Sequence, residues 1–308
     1  MTQPLVSIII PTYNVERYVE ECMDSLMNQT YKNIEIIVLD DASTDATVYL
    51  LKQYRSRIKL IENKTNKGQG TRRNEGLKIA LGRYIYFMDS DDWMEKEALQ
   101  ELVDQAVKTE AELVRFNGVA FYEGDQALIT ENNYDFSSTL KHKQLYTDEE
   151  AVIKNRQSFS PSPCLYLVKK TVIDAHNLAF PEGVLHEDEY FTTLLFANTK
   201  KMTYLDNNFY HRRYRIASTM TEHTKKHKLR SFDSYLNVFE ALEKEYQKVI
   251  YSDQQKQLIK RQLLSIYNGL LKSDVNPERK KQLKKLESIT LKDKLFVLAA
   301  RLKQRLNK

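Results

Sequence analysis

The stretch "YIYFMDSDDW", residues 84–93, runs five apolar side chains straight into three carboxylates, Asp89, Asp91 and Asp92. An unbroken run of aromatic and β-branched residues reads as a strand covered on both faces, and strands of that kind belong to α/β folds with helices on either side of a parallel sheet. Acids crowded at the end of such a strand repel one another, so their placement predicts a cation at that end. A D-x-D suits Mg2+ or Mn2+, which prefer oxygen ligands; Mg2+ often takes only one or two protein carboxylates and completes its shell with phosphate oxygens and water. The competing explanation is that Ser90, Asp91 and Asp92 cap the helix that follows.

Outward from this stretch the pattern repeats. "VSIII" (6–10), "IEIIVL" (34–39), "IKLI" (58–61) and "ELVRFNGVAFY" (112–122) read as further strands. Helical periodicity fills about 16–28, 44–55, 69–81 and 95–108, with Ser43 or Thr44 as the N-cap of the second helix. Strands alternating with helices predict a mostly parallel, doubly wound α/β sheet, in which ligands bind outside the carboxyl ends of the strands. The loops at those ends are "PTYN" (11–14), "DDASTD" (40–45), "NKTNKGQGTRRNEG" (63–76) and "DSDDW" (89–93), all polar. Residues 123–160 are weakly patterned and are assigned to an acceptor surface. "SFSPSPCLYLVKK" (158–170) returns to strand character, and "FPEGVLHEDEYFTTLLFA" (180–197) reads as a loop feeding a helix. From about Thr224 the chain is helical. The expected organisation is a 1–222 domain, with a donor-binding half to about 120 and an acceptor and catalytic half beyond it, then a helical region 223–308.

The bulk properties exclude several classes. The chain has 308 residues, 42% hydrophobic and 29% charged, as in a globular protein that buries a core. Two cysteines without metal spacing, Cys22 and Cys164, predict reduced, buried thiols. No signal peptide and no apolar run long enough for a membrane span is evident, so a cytoplasmic protein is expected. The net charge of +5 is unevenly spread, because residues 275–308 hold eleven lysines and arginines against three acids. No interleaving of basic and aromatic residues of the nucleic-acid kind accompanies that tail, so nucleic acid is not expected as a partner.

The polar loops combine into a chemical pattern. Tyr13 offers a flat face for a base, and Asp41 an acceptor for a ring N–H. Gly68 and Gly70 allow close backbone approach, and Arg72 and Arg73 lie at a helix start where phosphate charge is favoured. A nucleoside diphosphate with its metal fits this array. In order and spacing, "VSIIIPTYN", "IIVLDDASTD", "NKGQGTRRNEGL" and "YIYFMDSDDW" resemble the family 2 glycosyltransferases with the GT-A fold, over about residues 4–120. "HEDEYF" (186–191) and "YHRRYRIAST" (210–219) resemble the family's later acidic and basic segments.

The resemblance implies that Thr12 and Tyr13 line the base pocket, that Asp41 contacts uracil and that Arg73 lies near the diphosphate. Pro11, Asn14, Asn66, Gly68, Ser90 and Arg213 complete the implied donor-binding set. Asp91, with Asp89 or Asp92, would hold Mg2+ or Mn2+ and the donor ribose, and Asp188 would be the general base. Where the family often has Gly in "DDGS", this chain has Ala42, and an ordinary turn is expected there. Glu187 beside Asp188 would raise its pKa by like-charge repulsion, which suits a base working near neutrality; an acidic helix N-terminus explains the same residues without catalysis. His186 and His211 are candidates for a metal or phosphate contact, and Arg212, Arg213 and Arg215 for a pyrophosphate clamp. Packing is the default explanation for Trp93.

In the tail, Leu291, Leu295, Leu298, Leu302 and Leu306 form one helical stripe flanked by Lys292, Lys294, Arg301, Lys303 and Arg305, with Thr290 and Asp293 as a capping box. Such a helix can lie on an anionic membrane; docking on neighbouring helices or homo-oligomerisation is the alternative. The expected function is inverting transfer of a hexosyl or N-acetylhexosaminyl group from a UDP-sugar to a lipid-linked or polymeric cell-surface glycan. A nucleotidyltransferase and an inactive glycan-binding scaffold are the competing assignments.

Overall fold

The computed structural model describes residues 3–123, 125–128, 134–215 and 224–306. The first half follows the expected alternation. β1 (Val6–Thr12), α1 (Val19–Met27), β2 (Ile34–Asp40), α2 (Thr47–Leu51), β3 (Lys59–Glu62), α3 (Gln69–Ile79) and β4 (Tyr84–Phe87) form a parallel block in the order β3-β2-β1-β4. β1 and β4 are buried along their whole length, the burial that an unbroken apolar run requires. α3 packs across β1 and β2, and Gly76 is what lets it close: a Cβ there would stand 2.4 Å from a methyl of Ile9.

The second half turns the sheet into a mixed one. Its elements are β5 (Trp93–Met94), α4 (Ala98–Thr109), β6 (Leu113–Tyr122), β7 (Asp125–Leu128), β8 (Leu145–Thr147), α5 (Asp148–Gln157), β9 (Tyr166–Lys169), α6 (Lys170–Ala175), α7 (Glu187–Asn198) and β10 (Lys201–Tyr214). β9 inserts antiparallel between β4 and β6, and β10 runs parallel to β6 and antiparallel to β5. β10 has no counterpart in the sequence reading. Asp206, Asn207 and Asn208 interrupt its apolar pattern, and the strand is irregular there, with register shifts between Leu205 and Tyr210. The N-cap assignment for the second helix also changes. Ala46 occupies that position, while Ser43 accepts the Asn14 N–H at 3.0 Å and Thr44 donates its own to Asn14 Oδ1 at 2.8 Å.

Four helices follow: α8 (Lys225–Tyr246), α9 (Asp253–Lys272), α10 (Pro277–Lys280) and α11 (Leu291–Leu306). α9 packs on α5, α7 and α8, so Leu258, Leu263 and Ile266 continue the core that begins under the sheet. The boundary expected near residue 222 lies outside the described residues. Both cysteines are buried and free. No helix among the described residues is long and apolar enough to cross a membrane.

Candidate active site

At the carboxyl ends of β1 and β2, the two loops are laced together through Asn14, Ser43 and Thr44, and Val15 N–H donates to Thr47 Oγ1 at 2.8 Å. Pro11 and Thr12 are buried at the strand end, whereas Tyr13 is 44% exposed and leaves a ring face open. Ala42 departs from the expected ordinary turn: its φ is 63°, in the left-handed region that favours glycine. Asp41 departs further. Its buried carboxylate accepts from Lys67 N and Gly68 N, both at 2.8 Å, and from Arg72 Nε at 2.6 Å. Those bonds hold the loop ahead of α3, so Asp41 is occupied in organising Gly68 (φ 88°) and is not a free acceptor for a base. The acceptor left over is Asp40 Oδ1, buried and without a hydrogen bond, while its Oδ2 takes Ser43 N at 3.0 Å. Asn66 stays exposed in the same loop.

The two arginines opening α3 are not free phosphate ligands either. All three nitrogens of Arg72 are engaged, by Asp41, Glu75 and the Thr65 carbonyl. Arg73 is buried and bridges two motifs, giving Nη2 to Asp89 Oδ1 at 2.7 Å and Nη1 to Glu187 Oε1 at 2.8 Å. Gly70 serves this bridge rather than a ligand, since a Cβ there would stand 2.7 Å from Glu187 Cγ. The strand-end acids and the "HED" segment, far apart in sequence, therefore share one cation.

The remaining acids of "DSDD" divide. Asp91 Oδ2 accepts from Arg215 Nε at 2.8 Å, and the side chain stays partly exposed, as does that of Asp89. Ser90 is buried between them. Asp92 is turned inward. Tyr210 OH donates to its Oδ2, Arg213 N–H to its Oδ1 at 2.7 Å, and burial, then Asp91 and Asp89, push its pKa well up. With both oxygens taken and ionisation disfavoured, Asp92 fastens β10 to this loop, which leaves Asp89 and Asp91 as the partly exposed acids of the strand end. Among the described residues no group of three His, Cys, Asp or Glu side chains converges as a metal cage. Two partly exposed carboxylates fit Mg2+ or Mn2+ that draws its other ligands from a diphosphate and water.

β10 supplies the basic side of the cleft. Arg213 reaches the Asp91 carbonyl at 3.0 Å and pairs with Glu21, and Arg212 lies over Tyr214 and donates to Tyr134. His211 is stacked on Trp93 with ring centroids 3.5 Å apart and bonded to Glu95 at 2.7 Å. His186 is stacked on Tyr235 at 3.7 Å and bonded to Ser231 Oγ at 2.8 Å, and burial pushes its pKa down to about 4. Both histidines are thereby spent on packing, not on a metal or phosphate.

His186 nonetheless shapes the site. With φ 64° it turns the chain into α7, and Ser234 Oγ accepts the neighbouring Leu185 N–H at 3.0 Å. α8 thus grips the segment that presents Asp188. Asp188 is partly buried, accepts Glu189 N–H at 3.0 Å, and has its pKa pushed up to about 7 by burial and then by Glu187, with Arg73 opposing. Tyr210, Glu21, Ser231 and Tyr235 were not legible as site residues, because each acts through a partner distant in sequence. The aromatic residues Phe209, Tyr210 and Tyr214 flanking the arginines of "FYHRRY" were the one available signal of a strand feeding the site.

The model of the family described as Glycosyl transferase family 2 matches residues 7–175, more than half of the chain. The chain belongs to glycosyl transferase family 2. Within this family, the putative glycosyltransferase EpsH of Bacillus subtilis (strain 168) is 32% identical over 247 residues, covering 78% of this chain and 68% of EpsH. Poly(ribitol-phosphate) beta-N-acetylglucosaminyltransferase TarS of Staphylococcus aureus (strain MW2) is 29% identical over 214 residues, which are 67% of this chain but only 35% of TarS. The crystal structure of S. aureus TarS 1-349 in complex with UDP-GlcNAc matches with a TM-score of 0.70 at 24% identity, covering 90% of this chain and 78% of that one. The mannosyltransferase PcManGT from Pyrobaculum calidifontis, in complex with GDP-Man and Mn2+, matches at a TM-score of 0.58 and 15% identity, covering 100% and 88%. These structural likenesses establish a common GT-A fold for this family 2 chain.

Proposed function

We propose that this family 2 chain catalyses inverting transfer of a sugar from a UDP-sugar to a hydroxyl of a lipid-linked or polymeric cell-surface glycan, forming a β-linkage. The observation that carries the reading is the Arg73 bridge, which ties Asp89 at the donor loop to Glu187, the neighbour of Asp188. A strand-end acid pair and a carboxylate of raised pKa are thereby brought to one cation. Tyr13 would cover the base at the carboxyl ends of β1 and β2. Asp89 and Asp91 would hold Mn2+ or Mg2+, whose charge offsets that developing on the leaving diphosphate.

Asp188, ionised, takes the proton of the acceptor hydroxyl as that oxygen bonds to the anomeric carbon. The bond from that carbon to the diphosphate breaks on the opposite face, and its electron pair leaves with UDP. Arg213 and Arg212, already beside Asp91 and Asp92, would add positive charge near the leaving group. The naming of TarS as a beta-N-acetylglucosaminyltransferase supports the β-linkage and makes UDP-GlcNAc the first donor to test. The exposed leucines of α11 and its lysines support peripheral attachment to the inner face of an anionic membrane, where a lipid-linked acceptor would lie.

The test is release of UDP from a panel of UDP-sugars with and without acceptor glycans, by the wild type and by Asp188→Asn. Transfer lost by a hundredfold or more with UDP binding retained is expected. Loss of UDP binding in the variant would remove Asp188 from the role of base, and absence of transfer and hydrolysis in the wild type would favour the scaffold reading.

A further inference from the structure

Eleven large apolar side chains are exposed among the described residues, and six of them lie in the C-terminal region beyond α8: Val249, Ile250, Leu291, Leu295, Phe296 and Leu298. Four line α11. The other two sit at the tip of the α8–α9 turn and are 91% and 80% exposed. This turn is held at both ends. Lys248 N–H closes α8 on the Glu245 carbonyl at 3.0 Å, Tyr251 OH donates to Glu245 Oε2 at 3.0 Å, and Ser252 and Gln255 form a capping box that opens α9. A fixed turn that points two β-branched side chains into solvent forgoes burial that either side chain would gain by entering an apolar phase.

The turn and the start of α11 lie at the same end of the helical region. Ser288 N–H, three residues before α11, donates to Glu243 on α8 at 2.6 Å, and Lys260 on α9 pairs with Asp293 at 2.7 Å. Tyr246, Gln247, Lys256, Glu287 and Ser288 line one groove of about 420 Å³ between the turn and that segment. Of the acids here, Glu245 pairs with Lys248, Asp293 pairs with Lys260 and Glu243 accepts from Ser288 N–H, while Asp253 and Glu287 stay exposed. Lys292 and Lys294 in the first turn of α11, Lys256 beside the groove, and Lys244, Lys284 and Lys285 nearby outnumber those two exposed acids and leave the end basic. Apolar tips at an end where lysines outnumber exposed acids complement an anionic bilayer, which accepts the apolar groups below its headgroups and attracts the cations.

We propose that the α8–α9 turn is a second membrane contact, inserting Val249 and Ile250 into the surface of an anionic phospholipid bilayer along which α11 lies. The inference rests on the reading of α11 as a membrane-attaching helix, and adds a fixed anchor to it. Two contacts set the rotation of the protein on the surface as well as its attachment, as an enzyme working on a lipid-linked acceptor requires.

The test is co-sedimentation of the full chain with vesicles of phosphatidylcholine alone or mixed with phosphatidylglycerol. Wild type is expected to bind the mixed vesicles, and the double variant Val249→Ser/Ile250→Ser to partition about tenfold or more weakly, with UDP-sugar hydrolysis in solution unchanged. A turn variant that binds like wild type, while Leu295→Ser/Leu298→Ser binds weakly, overturns the turn contact and leaves attachment through α11 standing. Absence of vesicle binding by the wild type overturns both, and leaves sugar transfer to be judged by UDP release alone. Concentration-dependent self-association that the turn variant abolishes, without vesicle binding, would assign the face to a second copy of the chain and also overturn the proposal.

Discussion

Asp188 is the residue whose chemistry depends most on its surroundings. Burial and the Glu187 carboxylate hold its pKa at about 7, and a base is useful only when ionised. Transfer should therefore fall as the pH drops through about 7 and level off above it. Replacing Glu187 by Gln removes a neighbouring negative charge and leaves Arg73 with one fewer counter-charge, and both changes lower the Asp188 pKa. The acidic limb of the kcat profile should move to lower pH in that variant, and an unmoved limb would separate Glu187 from the base. Ala42 gives a stability test at the same scale. Its φ of 63° strains an L side chain, so Ala42→Gly should stabilise the fold by about 1 kcal/mol in urea melts, against the usual loss on introducing glycine. Neither effect can be read from sequence. That Asp41 serves the loop at Lys67 and Gly68, and that Asp92 serves Tyr210, depends on which partners the fold delivers.

At the scale of elements, β1, β2, β4 and β6 were legible because they are buried over most of their length, which leaves unbroken apolar runs in the sequence; β3 is exposed or half-buried throughout, and the two-residue β5 is too short to leave a run. The loops at their carboxyl ends were legible for the same reason, as polar interruptions at fixed intervals. β10 was not, because a strand that carries arginines to a site and breaks register at Asn208 loses the apolar alternation by which strands are recognised. α3 shows how closely these elements fit. With Ile9 Cγ2 2.4 Å and Leu39 Cδ1 3.1 Å from the place where a Cβ would sit, Gly76→Ala should cost about 1–3 kcal/mol, since the helix must lift from β1 and β2. A melt shifted by less than about 0.5 kcal/mol would mean that α3 is seated more loosely than this packing implies.

At the scale of the molecule, the helical region is part of the catalytic architecture as well as an appendage. α9 joins α5 and α7 in one core, and α8 grips His186 and Leu185 just ahead of Asp188. The charge asymmetry of the chain pointed to the tail, but only the structure separates the exposed Leu291, Leu295 and Leu298 from Val297, which is buried in the core, and adds Val249 and Ile250 to the same end. The proposed site at Asp89, Asp91 and Tyr13 takes a uridine diphosphate together with a divalent cation. Calorimetric titration of the folded chain with UDP, in Mn2+ and again in EDTA, tests it most directly. Saturable one-to-one binding in Mn2+ that weakens at least about tenfold in EDTA is the expected result; no heat of binding under either condition would contradict the account.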